Sequence, residues 1–286
     1  MGLAAMIALV GCSSDDSSSA MSRSVSLNFK AAVGTEAAEC GKTYGNIGIG
    51  VRNTYKLTDF RVYISDVALR KADGTTAPVS LDQDGVWQYQ NVALLDFENG
   101  CDKGTPQINA TVKGSVARDN YTGVCFNIGV PFEHNHLNDA TAPSPLNASG
   151  MLWAWSSGRK FIRVDGVGDP GGLNAGFHIH LGSTGCVAAN AQTAPTAACA
   201  NPNLPRVCVD IDVESGKKIV FDVKDVLAAT DVTVNTANTS PGCMSAVSDP
   251  ECIEIMPRLG LNFPYKDGTG VQNLYPAQAQ TWVRVE

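Results

Sequence analysis

The 286-residue chain is poor in basic residues and contains no basic cluster. Lys and Arg together number 21, whereas Asp and Glu number 28, which leaves a formal net charge of −7 at pH 7. Proteins that bind nucleic acid usually carry a basic patch that neutralises phosphates. The composition therefore argues against nucleic acid as a partner.

The chain also lacks the short motifs that mark several common enzyme classes. It has no CxxC pair, which argues against a thiolate zinc site or a dithiol redox motif. HExxH and GxSxG are absent, and no other residue pattern favours a Ser-His-Asp triad. The segment GNIGIG at residues 45–50 is not followed by the Lys-Ser/Thr that completes a phosphate-binding loop.

The apolar segment at the N-terminus is too short to cross a bilayer. Residues 3–10 (LAAMIALV) fall short of the roughly 20 residues that a membrane-spanning helix needs, but they fit the hydrophobic region of a secretory signal. Leu9-Val10-Gly11-Cys12 resembles a bacterial lipobox, in which the cysteine is lipidated. We therefore expect a lipoprotein signal peptide over residues 1–11 and a flexible, polar tether over residues 12–24. An ordinary signal peptide with a chance cysteine is the alternative.

The remaining cysteines predict disulfide bonds. Without Cys12, eight cysteines are left, and an even number in an exported chain suggests a disulfide framework. The sequence allows roughly a hundred pairings, of which Cys243–Cys252 is the one that closeness in the chain favours. Free buried thiols are the alternative. The candidates are Cys40, Cys101, Cys125, Cys186, Cys199, Cys208, Cys243 and Cys252.

Most of the chain predicts short β-strands separated by Gly, Pro, Asn and Asp clusters. We expect an all-β fold, a single antiparallel β-sandwich over residues 25–286 with long disulfide-stapled loops. Asp73-Gly74 predicts a hairpin turn, and residues 225–229 are the one predicted helix, with Asp225 as its cap. A division into two domains near residue 200 is the alternative. The predicted strands cover residues 25–29, 60–69, 107–112, 122–128, 160–164, 177–181, 207–213, 218–223 and 282–285.

All four histidines occur in two His-x-His pairs. His134 and His136 lie in PFEHNHLN, and His178 and His180 lie in GFHIHLGSTGC. In a strand, side chains two residues apart point to the same face, so each pair could direct two imidazoles at one point. Imidazole is the commonest metal ligand and suits zinc, copper, iron or nickel. At least one pair is therefore predicted to bind a metal; surface or hydrogen-bonded histidines are the alternative.

Two of the four tryptophans lie one residue apart, in MLWAWSSG. If this segment is a strand, Met151, Trp153 and Trp155 share a face, which is typical of a core strand. An intact indole offers no lone pair to a metal, although its ring face can contact a cation. Oxidative opening of the ring to kynurenine would create an amine and ketone oxygens that can coordinate.

Five segments together carry a resemblance to a known family. They are FRVYISDVAL, YTGVCFNIGVPFEHNHLN, MLWAWSSGRKFIRVDG, FHIHLGSTGC and the GCMS…DPEC stretch. In these blocks and in their order the chain resembles the MbnP family of exported bacterial copper-binding proteins, also called metallo-mystery-pair four-Cys-motif proteins. The resemblance covers residues 25–286. The chain departs from the family in having eight cysteines after Cys12, where the family name counts four.

The resemblance implies a partner and a modified residue. Family members are encoded beside a di-haem protein of the MauG and cytochrome c peroxidase superfamily, which oxidises the first tryptophan of the WxW motif to kynurenine. Copper binding depends on that change. On this chain the resemblance makes Trp153 the modified residue and Trp155 its WxW partner. His136 and His180 match the family pattern best, and His134 and His178 are further candidate ligands.

We therefore expect a lipoprotein that binds one copper ion for copper acquisition or homeostasis and is not an enzyme. It would lie in the periplasm or at the outer membrane, attached to the membrane through its lipid anchor only. One alternative is a histidine-metal hydrolase or oxidase with Glu133 or Asp139 as base. Another is a surface module that stacks glycans on Trp153 and Trp155.

Overall fold

The computed structural model describes residues 22–50, 53–101, 104–154, 156–169 and 176–286. Short strands dominate, as expected where β-branched and aromatic residues alternate with turn residues. The strands are β1 (Ser22–Val33), β2 (Glu36–Ala37), β3 (Thr43–Gly45), β4 (Thr54–Arg70), β5 (Thr76–Pro78), β6 (Ser80–Leu81), β7 (Gln88–Tyr89), β8 (Val92–Asp96), β9 (Thr111–Ala117), β10 (Gly123–Ile128), β11 (Ile162–Gly168), β12 (His178–Leu181), β13 (Arg206–Asp210), β14 (Lys218–Asp222), β15 (Gly242–Cys243), β16 (Phe263–Lys266), β17 (Gln272–Tyr275) and β18 (Val283–Val285).

The strands of the described residues form three sheets. A six-stranded sheet has the order β18-β14-β1-β9-β6, with β2 paired to β1. A ten-stranded sheet has the order β13-β10-β4-β11-β12-β15, and the 17-residue β4 also pairs with β3, β5 and β8. The strands β16 and β17 form a separate hairpin. The long β4 therefore carries most of the larger sheet.

Aromatic rings pack the two large sheets together. Phe29 of β1 lies 5.9 Å from Phe126 of β10 and 5.8 Å from Phe221 of β14, between ring centroids. Trp282 lies against Phe221 at 5.3 Å. All four side chains are buried. Because each ring removes a large apolar area from water, this cluster stabilises the packing of one sheet on the other.

The all-β prediction is confirmed, although the sheets are several rather than strictly one sandwich. The chain forms several sheets, and two strand pairs, β1–β14 and β12–β15, are parallel. Long connections separate the strands of each parallel pair in the sequence, and such connections allow parallel pairing. The Asp73-Gly74 turn is present between β4 and β5, closed by a hydrogen bond from Lys71 N to Thr75 O of 2.9 Å.

The helices are few and short, and they differ from the one predicted. In the described parts of the chain they are α1 (Phe132–Asn135), α2 (Val223–Val226) and α3 (Cys252–Arg258). The predicted helix lies slightly earlier than expected, and its cap is Asp222, whose Oδ1 accepts a 3.0 Å hydrogen bond from Lys224 N. Among the described residues, no helix combines the length and the apolar character that a bilayer span requires.

The eight cysteines that follow Cys12 form four disulfides, and the favoured Cys243–Cys252 pair is confirmed. This bond joins β15 to α3. Cys125–Cys208 joins the neighbouring strands β10 and β13. Cys12, the predicted site of lipidation, lies outside the described residues. The other two bonds are Cys40–Cys101 and Cys186–Cys199.

Candidate metal centre

The first tryptophan of the WxW motif lies at the start of a tight turn, so residues 151–154 do not form the strand that was considered for this segment. A short 3-10 helix covers Ser149–Met151, and Trp153 N then donates a 3.1 Å hydrogen bond to Gly158 O across the turn. Gly158 has a φ of +76°, a conformation that favours glycine, and a Cβ atom there would collide with Asn135. Trp155 lies outside the described residues.

Trp153 is half-buried in the wall of a cavity of about 430 Å³. The cavity wall also contains Ser183 and Cys186 of the HLGSTGC block and Met244 of the GCMS block. The ring lies against Gly182, where a Cβ atom would collide with it. Three segments that are far apart in the sequence therefore meet around one indole ring.

The histidine pair on β12 lies beside this ring, with both imidazoles on one side of the strand. The rings of His178 and His180 stack at 5.6 Å with 16° between their planes, and His180 lies 6.3 Å from Trp153 between ring centroids. His180 Nε2 donates a 2.5 Å hydrogen bond to Asp165 Oδ1 on the neighbouring β11. The Nδ1 atom of a neutral His180 then keeps its lone pair.

Asp165 is the carboxylate on which both imidazoles converge. His178 Nδ1 lies 3.3 Å from the same Oδ1 atom, although this nitrogen makes no hydrogen bond within the part of the chain that the structure describes. Burial opposes ionisation of Asp165, but the hydrogen bond from His180 and the charges of its neighbours outweigh it and hold the pKa of Asp165 well below its usual range. Burial lowers the pKa of His178 and of His180, and the charge of Asp165 only partly offsets this. Both rings are therefore held in the neutral form that can bind a metal.

A chain of buried ion pairs extends from Asp165 across the sheet. Arg163 binds Asp165 through Nη2 at 2.6 Å and Asp59 through Nη1 at 3.2 Å. Asp59 in turn binds Arg61 at 2.6 Å, and Arg61 lies 3.8 Å from Asp96. Because each charge has an opposite neighbour, the network can remain in a largely buried location. It also fixes the orientation of the Asp165 carboxylate.

The other histidine pair does not lie in a strand, so its two imidazoles do not share a strand face. Pro131 precedes α1, which ends at Asn135, and His136 follows as the last turn closes. A proline cannot donate to a strand ladder, and in a helical turn two residues two apart point in different directions. His134 packs against Tyr89, with 5.7 Å between ring centroids.

His136 is buried, and it lies beside a disulfide. Its Nε2 atom is 3.5 Å from Sγ of Cys199, and the ligand atoms of His136, Cys186 and Cys199 all lie within 4.8 Å of one another. Because the two sulfurs are bonded to each other, they are not thiolates in this state. Cys186 lines the Trp153 cavity, so the disulfide separates His136 from that cavity.

Arg159 connects the turn that carries Trp153 to the turn that carries His136. Its side chain is fully buried. Its guanidinium donates to the backbone carbonyls of Asn135, Leu137 and Leu146. The backbone N–H of Arg159 also donates to Asn135 Oδ1, at 2.8 Å. Loss of this side chain would leave several buried acceptors without donors.

Three of the predicted residues thus lie in a row, with the Trp153 ring against His180 and His180 stacked on His178. His136 joins them through the Cys186–Cys199 disulfide, and His134 contacts Tyr89 instead. Sequence reasoning missed Asp165, Arg159 and Met244. The only local signal was the alternation of Arg163 and Asp165 along one strand face, which a surface ion pair would also produce.

Comparisons with known proteins support the family resemblance that the five sequence segments carry. A family model described as MbnP matches residues 22–245. A solved structure, MbnP from Methylosinus trichosporium, superposes with a TM-score of 0.76 and is 30% identical in sequence, covering 92% of this chain and 98% of that one. No curated protein matches the chain.

Proposed function

The chain belongs to the MbnP family, and we propose that it is an exported copper-binding protein whose metal site forms around Trp153. The observation that carries the proposal is that Trp153 and Met244 line one cavity, while His180 packs against the Trp153 ring and His178 stacks on His180. Neutral imidazole and thioether donors suit copper better than they suit hard cations such as magnesium or calcium. The imidazole and thioether groups near Trp153 are therefore suitable ligands for copper.

Each residue has a part that its environment suits. His180 would present Nδ1, because its Nε2 is held by Asp165. Met244 is anchored through its backbone N–H, which donates a 2.8 Å hydrogen bond to Asp249 Oδ2. Trp153 would contribute only after its indole ring is opened to kynurenine, since intact indole has no lone pair for a metal. Copper bound there would be held for acquisition, storage or delivery, with no reaction catalysed.

The proposal includes a partner that modifies the chain. A di-haem protein of the MauG and cytochrome c peroxidase superfamily would oxidise Trp153 before copper binds. The half-buried ring borders an open cavity, so an oxidising partner can act on it without unfolding the core. Lipidation at Cys12 would hold the protein at the membrane facing the periplasm.

The first test is substitution of Trp153. Protein expressed with its di-haem partner should carry about one copper ion per chain and a mass change on the peptide of residues 151–159. We expect Trp153→Phe to lose the copper that co-purifies, because phenylalanine cannot form kynurenine, while the circular dichroism spectrum stays unchanged. Copper content by atomic absorption and peptide mass spectrometry measure the two effects.

A matched control is Trp87→Phe, which changes another partly buried tryptophan that lines a different cavity. It should retain copper at the wild-type level. An unmodified Trp153 in copper-loaded wild-type protein would contradict the proposal, as would full copper content in Trp153→Phe.

A further inference from the structure

His136 and Cys199 place a nitrogen and a sulfur atom at the spacing of two ligands in a tetrahedral metal site. A tetrahedral d10 cation has metal–sulfur distances of about 2.3 Å and metal–imidazole distances of about 2.0 Å, which place a sulfur and a nitrogen ligand about 3.5 Å apart. His136 Nε2 and Cys199 Sγ are 3.5 Å apart. Cys186 supplies a third ligand atom within the same cluster.

The hydrogen bonds of Asn135 indicate which nitrogen of His136 carries the lone pair. Asn135 Oδ1 accepts a hydrogen bond from Arg159 N at 2.8 Å, which fixes the orientation of the amide. Its Nδ2 group therefore faces His136 Nε2 at 3.2 Å, and an amide nitrogen can only donate. Nε2 is then the acceptor nitrogen, and it is the atom that faces Cys199.

We propose that the Cys186–Cys199 disulfide is a redox-gated metal site, which on reduction becomes a Cys186, Cys199 and His136 ligand set for a soft or borderline d10 cation. Two thiolates and one imidazole match the preferences of Cu(I), Zn(II) and Cd(II). This site does not use Trp153 and does not depend on its oxidation. It therefore goes beyond the copper site proposed above.

The location of the bond permits its reduction. Cys186 is half-buried and lines the open cavity, and the bond closes a loop of only 13 residues in sequence separation. Opening it releases a surface loop, whereas Cys243 and Cys252 are both buried at the joint between β15 and α3. A dithiol can therefore reach Cys186 with the core in place.

An external dithiol is the reductant that converts the Cys186–Cys199 disulfide to two thiols. One thiolate of the dithiol attacks Cys186 Sγ, the bond to Cys199 breaks, and the second thiolate of the dithiol resolves the mixed disulfide. Two electrons and two protons pass to the protein, and the dithiol leaves as a disulfide. When the cation binds, the two new thiols release their protons.

The test uses the full chain and cadmium. The protein is treated with dithiothreitol, freed of it anaerobically and titrated with Cd²⁺. We expect a thiolate-to-cadmium charge-transfer absorption that reaches its maximum at one Cd²⁺ per chain and that the oxidised protein lacks. Alkylation with iodoacetamide and peptide mass spectrometry should label Cys186 and Cys199 under conditions that preserve the circular dichroism spectrum.

Variants assign the site to its residues. Cys186→Ser/Cys199→Ser should lose this absorption, whereas Cys125→Ser/Cys208→Ser, which removes another disulfide, should retain it. His136→Gln should weaken Cd²⁺ binding by about tenfold or more while the thiolate band remains. Trp153→Phe should bind Cd²⁺ as the wild type does, because this site does not use Trp153. The cadmium result therefore tests the disulfide site independently of the copper proposal.

The single variant Cys186→Ser needs no reductant, because it leaves Cys199 as a thiol beside His136. It should bind Cd²⁺ more weakly, with a single-thiolate band. The proposal is overturned if Cys186 and Cys199 stay unlabelled while the fold is intact, or if the Cys186→Ser/Cys199→Ser variant binds cadmium as the wild type does. An absence of any cadmium–thiolate band in Cys186→Ser would have the same consequence.

Discussion

Asp165 positions the β12 histidines through one oxygen atom. Its Oδ1 accepts the 2.5 Å hydrogen bond from His180 and lies 3.3 Å from Nδ1 of His178, while Oδ2 is held by Arg163. A carboxylate behind a histidine fixes the ring and raises its basicity as a ligand. The copper affinity of the proposed site should therefore depend on a residue that does not touch the cavity.

We expect Asp165→Asn to lower copper affinity by about 10- to 100-fold, because asparagine keeps the shape but not the charge of the acceptor. A competition titration against a chromophoric copper chelator measures the change. Asp59→Asn is the matched control, since Asp59 binds the same Arg163 but no histidine. An equal loss in both variants would mean that Asp165 acts only through the ion-pair network.

At the scale of elements, two turns are joined by one buried cation. The turn after the 3-10 helix carries Trp153, and α1 with its following residue carries His136. Arg159 spans them by donating to three backbone carbonyls. Buried carbonyls without donors are costly, so Arg159 makes the relative position of the two turns dependent on a single side chain.

Arg159→Met should lower the free energy of unfolding by on the order of 3 kcal/mol, since it removes several buried hydrogen bonds at once. Urea denaturation followed by fluorescence measures it. Lys160→Met is the control, because Lys160 is only partly buried and its Nζ donates to a single carbonyl, that of Gly150, at 3.2 Å. Similar losses in the two variants would contradict the assigned role.

For the whole molecule, buried carboxylates set how stability depends on pH. Burial raises the pKa of Asp59 to about 6 and that of Asp96 to about 7, and the nearby arginines offset this only in part. In the unfolded chain both groups lose their protons near pH 4. Between about pH 4 and pH 7 the folded state therefore holds more protons, and the free energy of unfolding falls as pH rises.

Asp165 changes the free energy of unfolding with pH in the opposite direction, because the pKa of Asp165 is lowered in the folded state. Its contribution is lost as pH falls below about 4, where the unfolded chain takes up a proton. For these three carboxyl groups the combined contribution to stability is largest at about pH 4–5. His178 and His180, whose pKa values are lowered from 6.5, act in the opposite direction and offset part of this effect.

We expect the free energy of unfolding to be higher at pH 5 than at pH 8 by on the order of 2 kcal/mol. Urea denaturation at the two pH values tests this. Asp96→Asn should reduce the difference, because asparagine cannot ionise. Asp119→Asn should leave it unchanged, since Lys71 lowers the pKa of the exposed Asp119 and its titration is complete below pH 5. If the difference in the free energy of unfolding between pH 5 and pH 8 were larger in Asp96→Asn than in the wild type, the expected direction of the Asp96 effect would be wrong.

The sequence by itself determined the predominance of β-strands, and it located the two His-x-His pairs and the WxW segment. The alternation of buried and more exposed residues along the first part of β1 follows from the local pleat of a strand, so it can be predicted without knowledge of the fold. The His178 and His180 pair was predictable for the same reason. The Cys243–Cys252 bond followed from nearness in the chain.

Only the tertiary structure decided which groups meet. Asp165 of β11 contacts the two histidines of β12, and Met244 reaches the Trp153 cavity from the segment after β15. The disulfide beside His136 joins residues on either side of a surface loop. The parallel pairs β1–β14 and β12–β15 also depend on contacts distant in sequence. Local propensity contains no information about these contacts, because their free energy arises only when remote segments pack together.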